Sequence, residues 1–431
     1  MSIESVTPAR GRLRASQRKA IVAGTIGNTV EWVDWALYSI FAKIIADEFF
    51  PSADGAVALL STLAVFAVGF VMRPVGAAVL GAYADRHGRK KGMTLTVALM
   101  AGAGFVIAVT PSYDRIGVFS PLVLLLARLV QGFSAGGEFG SSSAFLVESA
   151  AHGRRAFAGS WQQVSVAGGV LIASLLGTLT TSALSDDALH SWGWRAAFVV
   201  GALLGLVGLW LRVSVEDTVS FTQVQDSGRT RTNPVKAMFV EHPKATLRVA
   251  GITVAGTLTY YIWVNYLPTY ANLTTGIPLR SALLSQTLCL IVFVVALPFV
   301  GRLSDRVGRK PTMAGFAGGF VLLSWPLLHL LSGSFLSLYL VQLVGMTLIL
   351  GYSANCAVIM AEQFPPEVRA TGIALPYALA VALFGGTAPY LTTWLHESGH
   401  SDLLWIYVSA AALVSLVVYL TMPETKDKEF H

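Results

Sequence analysis

Apolar residues run in twelve long stretches. They lie at about 20–42, 57–83, 91–110, 120–146, 157–184 and 194–213, then at about 247–270, 281–302, 312–331, 336–361, 370–393 and 402–422. An α-helix needs roughly 20 such residues to cross a bilayer. Twelve transmembrane helices are therefore predicted, six on either side of a polar stretch at 214–246. The expected organisation is a tail at 1–19, a six-helix bundle at 20–213, a linker at 214–246, a second bundle at 247–422 and a tail at 423–431. The fold class expected is an all-α membrane protein.

Charge placement sets the orientation. With the N-terminus in the cytoplasm, 24 of the 30 Lys and Arg residues fall on the cytoplasmic side. The outside keeps Lys43, Arg115, Arg195 and Arg280, while Arg73 and Arg128 lie inside apolar stretches. Cytoplasmic loops of membrane proteins carry this excess, so both termini are expected inside a multi-pass protein of the cell inner (plasma) membrane. The net charge of +6 then reflects topology, and no nucleic-acid partner is implied. Only 13% of residues are charged, against about 25% in soluble domains. The N-terminal "MSIESVTPARGRLRASQRKA" lacks the apolar core of a signal peptide. Cys289 and Cys356 both fall in apolar stretches, and no disulfide is expected.

The two halves echo one another. "GAYADRHGRKK" at 81–91 recurs as "GRLSDRVGRKP" at 301–311, each after the second helix of its half. "ESAAHGRRAFAG" at 148–159 is matched by "EQFPPEVRATGI" at 362–373. Two such halves in parallel register are the build of a duplicated transporter. Asp85, Arg89, Asp305 and Arg309, with Glu148, Arg155, Glu362 and Arg369, read as a cytoplasmic gate. An acid at a helix end can meet the positive N-terminus of a neighbouring helix. The alternative is that these basic loops only set topology.

Inside the membrane the polar residues are few. "GNTVEWVDWALYS" at 27–39 puts Glu31 and Asp34 in the first helix. A charge at the bilayer centre costs about 2.5–3.5 kcal/mol on insertion scales. At about 100° per residue, Asn28, Glu31, Asp34, Trp35 and Tyr38 share one face, opposite Ile26, Val30, Val33 and Leu37. Neighbouring carboxylates raise one another's proton affinity, as does removal from water. Glu31 and Asp34 are therefore proton-coupling candidates, with permanent pairing to arginine as the alternative. Arg128 and Glu138 in the fourth helix join that set. Arg73, just before Pro74, and Arg128 are candidates to bind a substrate carboxylate, since a guanidinium fork suits that geometry. An ion pair with a helix-1 acid is the other reading of both. Tyr38, Gln162, Tyr261, Asn265 and Asn355 are candidate polar substrate ligands; Gln163 and Gln342 are weaker ones. Gly132, Gly136 and Gly137 read as a packing surface. Neither metal nor cofactor is expected, since the histidines lack metal-ligand spacing and no phosphate-binding glycine loop is present. The serines at 141–143 have no matched histidine for hydrolase chemistry.

These motifs resemble the major facilitator superfamily. Its signature between helices 2 and 3 is met by Gly81, Asp85, Arg86, Gly88, Arg89 and Lys90, and again by Gly301, Asp305, Arg306, Gly308, Arg309 and Lys310. Arg128, Gln131 and Gly132 match its helix-4 signature, where the resemblance links the arginine to coupling or substrate contact. "GFVMRPVGA", "ARLVQGFSAGGEFG", "SWGWR" and "FGGTAPY" narrow the likeness to the metabolite:proton symporter family. Its known members carry 2-oxoglutarate, citrate, shikimate, proline or betaine, and the first half is most similar to the 2-oxoglutarate carriers. There are departures. Val33 and Trp35 stand where that family often has Tyr or Phe, and Phe; Glu216-Asp217-Thr218 stands for Glu-Thr-Pro.

The expected fold is thus two pseudo-symmetric six-helix bundles, the major facilitator fold. The expected function is proton-coupled symport of a small carboxylate metabolite, a 2-oxoglutarate-like di- or tricarboxylate, by alternating access. A zwitterionic osmolyte such as proline or betaine, or an aromatic acid, is the alternative substrate. The short "PETKDKEFH" end leans away from an osmosensor, and a non-transporting sensor or an enzyme ranks lower still. A monomer in the bilayer, with organic acid and proton as its partners, is expected.

Overall fold

A computed structural model describes residues 28–426, apart from 30, 53, 88, 149, 151–152, 214–233 and 366–367. Among the described residues every regular element is a helix. In chain order the long helices are α1 (31–40 continued by Ala42–Phe49), α2 (Gly55–His87), α3 (Arg89–Val109) and α4 (Phe119–Gly136 and Phe139–Glu148). α5 (Arg155–Ala183) and α6 (Trp194–Val213, entered through a π-helical turn at Leu189–Gly193) complete the first half. The second half holds α7 (Pro243–Thr259, a π-helical turn Tyr260–Tyr266, then Leu267–Thr275), α8 (Leu279–Val307) and α9 (Arg309–His329). It ends with α10 (Phe335–Ser353 and Cys356–Ala361), α11 (Arg369–Ala380, a π-helical turn Val381–Gly385, then Ala388–Glu397) and α12 (Leu403–Thr421).

Ten of these helices are long and apolar enough to cross a membrane. The other two fall short for local reasons. α3 opens with Arg89, Lys90 and Lys91, which leaves the shorter apolar run Thr94–Val109. α1 starts at the edge of the described residues and carries Glu31, Asp34, Lys43, Asp47 and Glu48. It also runs past the expected end near 42, because Ile44, Ile45 and Phe49 bury one face of its last turns. The polar 214–246 stretch is not all loop, since Pro234–Glu241 is helical and Met238 is buried.

The same pairings recur in both halves. α2 packs along α4 and α3 along α6, while α8 packs along α10 and α9 along α12. Between the halves α5 lies along α8. Large apolar side chains such as Val71, Leu203, Phe299, Leu322 and Leu413 point outward. Such a surface is a liability in water and suits lipid.

Glycines bring α2 and α4 together. A Cβ at Gly132 would lie 1.6 Å from the Gly69 carbonyl oxygen, and one at Gly76 would lie 1.7 Å from that of Phe133. At Gly136 it would lie 1.9 Å from the Arg73 carbonyl oxygen. Without a hydrophobic drive between helices in lipid, such close backbone contact supplies the packing. It also fixes Arg73 and Arg128 on adjoining helices.

Candidate functional site

The polar stripe of α1 is buried on every side. Asn28 donates its amide to the Ser165 hydroxyl on α5 at 2.8 Å. Asp34 accepts from Gln131 Nε2 at 2.6 Å and from Arg128 Nη1 at 3.3 Å, both on α4. Its other oxygen packs on α3, where a Cβ at Gly104 would come within 2.7 Å of it. On the opposite face Val33 and Leu37 meet Gly201 of α6, so that face packs on protein rather than lipid.

Arg128 is fully buried. Its guanidinium lies 3.8 Å from the Tyr38 ring centre and 5.2 Å from that of Trp35. Arg73, 5% exposed, stacks near Phe70 at 4.2 Å, Trp35 at 4.9 Å and Trp32 at 5.7 Å. Nε and Nη2 of Arg73 have no hydrogen-bond partner among the described residues, and the same holds for Nε and Nη2 of Arg128. A buried donor left unmade is costly. Tyr261 on α7 lies 5.3 Å from the Phe70 ring and 6.0 Å from the Trp32 ring, so the cluster draws on both halves.

The π-helical turn of α7 presents Tyr260 and Tyr261 to this centre. Their rings lie 6.1 and 6.0 Å from Trp32. Such turns favour functional sites. Neither hydroxyl has a partner among the described residues, nor do Asn265 Nδ2 and Gln162 Nε2, all of them buried.

Three of the candidate side chains sit in other surroundings. Asn355 sits at the break in α10, where its Nδ2 donates to Thr312 Oγ1 at 3.1 Å and the Gly351 carbonyl at 2.8 Å, and its Oδ1 accepts from Ser304. Its amide is engaged in packing α8, α9 and α10 together. Tyr38 donates its hydroxyl to the Thr62 carbonyl at 2.9 Å, and its ring serves as a seat for Arg128. Glu138 is buried at the break in α4, ten residues from Arg128. At about 1.5 Å of rise per residue it lies too far along the helix to join the Asp34–Arg128 pair. Gln342 accepts from Ser285, and Gln163 Nε2 donates to Cys356 Sγ at 3.1 Å.

The sequence reading passed over Trp32, Phe70 and Tyr377. Trp32 could have been found, since it adjoins Glu31 and precedes Trp35 by three residues. Phe70 and Tyr377 carry no signal in their own segments that separates them from core aromatics.

At the end that carries the DRVGRK segment of the second half, the halves are tied by charge. Arg155 Nη1 meets Glu362 Oε1 at 3.0 Å, and Arg309 reaches Asp305 at 3.1 Å and Glu362 at 3.4 Å. Asp305 accepts the backbone N–H groups of Ala156 and Phe157, each at 3.0 Å, in the first turn of α5. Arg369 Nε donates to the Ala361 and Phe364 carbonyls at 3.2 Å. The side chains of Asp85, Arg89 and Glu148 lie outside the described residues. Phe139 of α4 stacks on Tyr377 of α11 at 3.8 Å. Toward the other side Thr269 donates to the Ser39 carbonyl at 3.1 Å. The charged centre is thus covered from both ends.

A helical chain with a buried charged core between two similar halves matches a known family model, Major Facilitator Superfamily, over residues 24–385 and again over 287–431. The chain belongs to the major facilitator superfamily. The alpha-ketoglutarate permease of Escherichia coli (strain K12) is 37% identical over 97% of this chain and 98% of its own length. The citrate-proton symporter of Klebsiella pneumoniae is 35% identical over 97% and 95%. The glycine betaine/proline/ectoine/pipecolic acid transporter OusA of Dickeya dadantii (strain 3937) is 33% identical over 97% and 85%. The xylose transporter XylE from E. coli, in a partially occluded inward open conformation, superposes with a TM-score of 0.73 at 19% identity. That match covers 97% of this chain and 100% of the other, and it speaks for the fold. As a superfamily member the chain is a multi-pass membrane transporter rather than an enzyme.

Proposed function

We propose that the chain is a proton-coupled symporter that brings a small carboxylate metabolite, a 2-oxoglutarate-like di- or tricarboxylate, into the cell by alternating access. The observation that carries this reading is Arg73: a buried guanidinium at the centre with two nitrogens unpartnered among the described residues. A carboxylate satisfies such a fork with charge-assisted hydrogen bonds. Tyr261, whose ring lies 5.3 Å from that of Phe70, Asn265 and Gln162 are further buried donors without a partner among the described residues. Asp34, held by Arg128, is the proposed proton carrier: protonation removes its charge and frees Arg128, which permits the halves to rearrange. The two halves, 20–213 and 247–422, act as the rocking bundles, with 214–246 as linker and both termini in the cytoplasm of an inner-membrane protein. The Asp305, Arg309, Arg155, Glu362 and Arg369 network acts as the cytoplasmic gate. The carriers of alpha-ketoglutarate and citrate among the relatives support the carboxylate class.

A second reading takes a zwitterionic osmolyte as substrate. Trp32, Tyr260 and Tyr261 stand about the centre with ring centres 6.0–6.3 Å apart, and aromatic boxes attract quaternary ammonium groups. The test is uptake of labelled 2-oxoglutarate into proteoliposomes, with and without an inside-alkaline pH gradient. Gradient-driven accumulation that a protonophore abolishes supports the first reading. Accumulation of betaine or proline, and none of 2-oxoglutarate, supports the second.

A further inference from the structure

One ring touches both buried arginines. Arg73 and Arg128 lie 4.9 and 5.2 Å from the Trp35 ring centre. The indole is locked in place: Phe66 and Phe70 pack on it at 5.4 and 4.2 Å, and a Cβ at Gly69 would come within 3.2 Å of it. It is 1% exposed, and its Nε1 has no acceptor among the described residues. Trp attracts cations through its face more strongly than Phe or Tyr.

We propose that Trp35 is a positioning residue that couples Arg73 to the Asp34–Arg128 pair, so that substrate and proton favour each other's binding. This rests on the reading of Arg73 as the cation that meets the substrate. Two cations drawing on one ring compete, because each polarises it toward itself. A carboxylate arriving on Arg73 neutralises one of them. Arg128 then gains the ring and loosens its hold on Asp34, which is left to take a proton. A proton arriving first on Asp34 frees Arg128 toward the ring, which turns Arg73 toward the incoming carboxylate. The coupling is reciprocal, as linkage requires. The other groups facing the cluster are Glu31 and Tyr38 from α1, Gln131 from α4, Tyr261 from α7 and Tyr377 from α11. α3 brings Gly104, with no side chain. Among the described residues, Trp35 is the ring that spans both arginines.

The test compares wild type, Trp35→Phe and Trp35→Leu in proteoliposomes, by the ratio of KM for labelled 2-oxoglutarate at pH 8 and pH 6. The ratio should fall about fivefold in Trp35→Leu, the equivalent of about 1 kcal/mol for one cation–π contact. Trp35→Phe, which keeps a weaker ring face, should lie between. A KM raised equally at both pH values in Trp35→Leu overturns the coupling and leaves a packing role. If wild type takes up no 2-oxoglutarate, or a variant is inactive, substrate-free protein decides. The infrared band of the protonated Asp34 carboxyl, assigned with Asp34→Asn, is titrated with and without Arg73→Gln. A midpoint shift on Arg73→Gln that shrinks in the Trp35→Leu background supports the coupling, whatever the substrate. An equal shift in both backgrounds overturns it. Failed uptake with a shrinking shift thus faults the substrate assignment alone.

Discussion

Asp34 of α1 takes Arg128 of α4 as its counter-ion at 3.3 Å, with both side chains buried. Removing either member of such a pair leaves the other's charge uncompensated and costs about 3–5 kcal/mol, and replacing Asp34 by the isosteric Asn still leaves Arg128 charged. Arg128→Ala and Asp34→Asn should therefore both lower thermal stability, and Asp34→Asn, which keeps the shape and the Gln131 contact, is the one to assay for transport. Asp34→Asn should also lose pH-driven accumulation yet keep substrate exchange under equal concentrations. Counterflow and gradient-driven uptake on the same proteoliposomes check this. Full accumulation by Asp34→Asn would remove it as the proton carrier.

Arg73 stands among rings, and Nε and Nη2 of its fork await an acceptor. Charge-assisted hydrogen bonds are worth about 1.5–3 kcal/mol, so Arg73→Gln should raise KM for the carboxylate about 10- to 150-fold. Arg73→Lys keeps the charge but loses the fork, and should recover only part of the affinity. Uptake kinetics decide it. An unchanged KM in Arg73→Gln would move the substrate site elsewhere.

Glycines with similar sequence surroundings should respond differently to the same methyl group. Gly132→Ala puts a Cβ 1.6 Å from a backbone carbonyl that cannot give way, so α2 and α4 must part. Loss of folded protein is expected. Gly102→Ala and Gly168→Ala meet nothing within 4 Å. They should be neutral, or stabilise by up to about 1 kcal/mol through helix propensity. Gly104→Ala is the informative middle case, since its Cβ pushes on the Asp34 carboxylate at 2.7 Å. It should disturb proton coupling more than stability. Thermal melts and pH-dependent uptake across the four variants separate these effects.

The helices and their duplicated order were legible because lipid allows one periodic solution, and the repeated DRxGRK segments mark equivalent places in the two halves. The charged centre was legible for the same reason: carboxylates and arginines inside apolar runs stand out. What α1 packs against was not. Val33 and Leu37 suit lipid or packing alike in sequence, and only the structure shows Gly201 of α6 beneath them. A buried amide such as Asn355 reads alike in sequence whether it faces a substrate or ties α8, α9 and α10 together, as its contacts here do. The pairing of Arg155 with Glu362 crosses 207 residues, and periodicity within one helix carries no record of such a contact.

The segment after α12 reaches back to the charged network of Arg155, Asp305, Arg309 and Glu362. Thr425 donates its hydroxyl to Glu362 Oε2 at 2.5 Å, and Lys426 Nζ donates to the Arg306 carbonyl at 2.7 Å. Glu424 accepts the backbone N–H groups of Arg309 and Lys310 at 3.0 Å, at the start of α9. Burial alone would push the Glu424 carboxyl up, but the N–H groups of Arg309, Lys310, Lys426 and Thr425 outweigh it and hold it below its ordinary 4.5. A lowered folded value means that its contribution is complete above 4.5 and is lost as pH falls through that lower value. The clasp should therefore act alike at pH 6 and pH 8. Cys356 reports on it, being fully buried between α5 and α10 beside Gln163. In a Cys289→Ser background, Glu424→Gln and Arg155→Ala should each raise the alkylation rate of Cys356 several-fold over the parent. For Glu424→Gln the ratio should be the same at pH 6 and pH 8, since both lie above its titration. Alkylation no faster than in the parent would show that neither contact holds this end of the molecule closed.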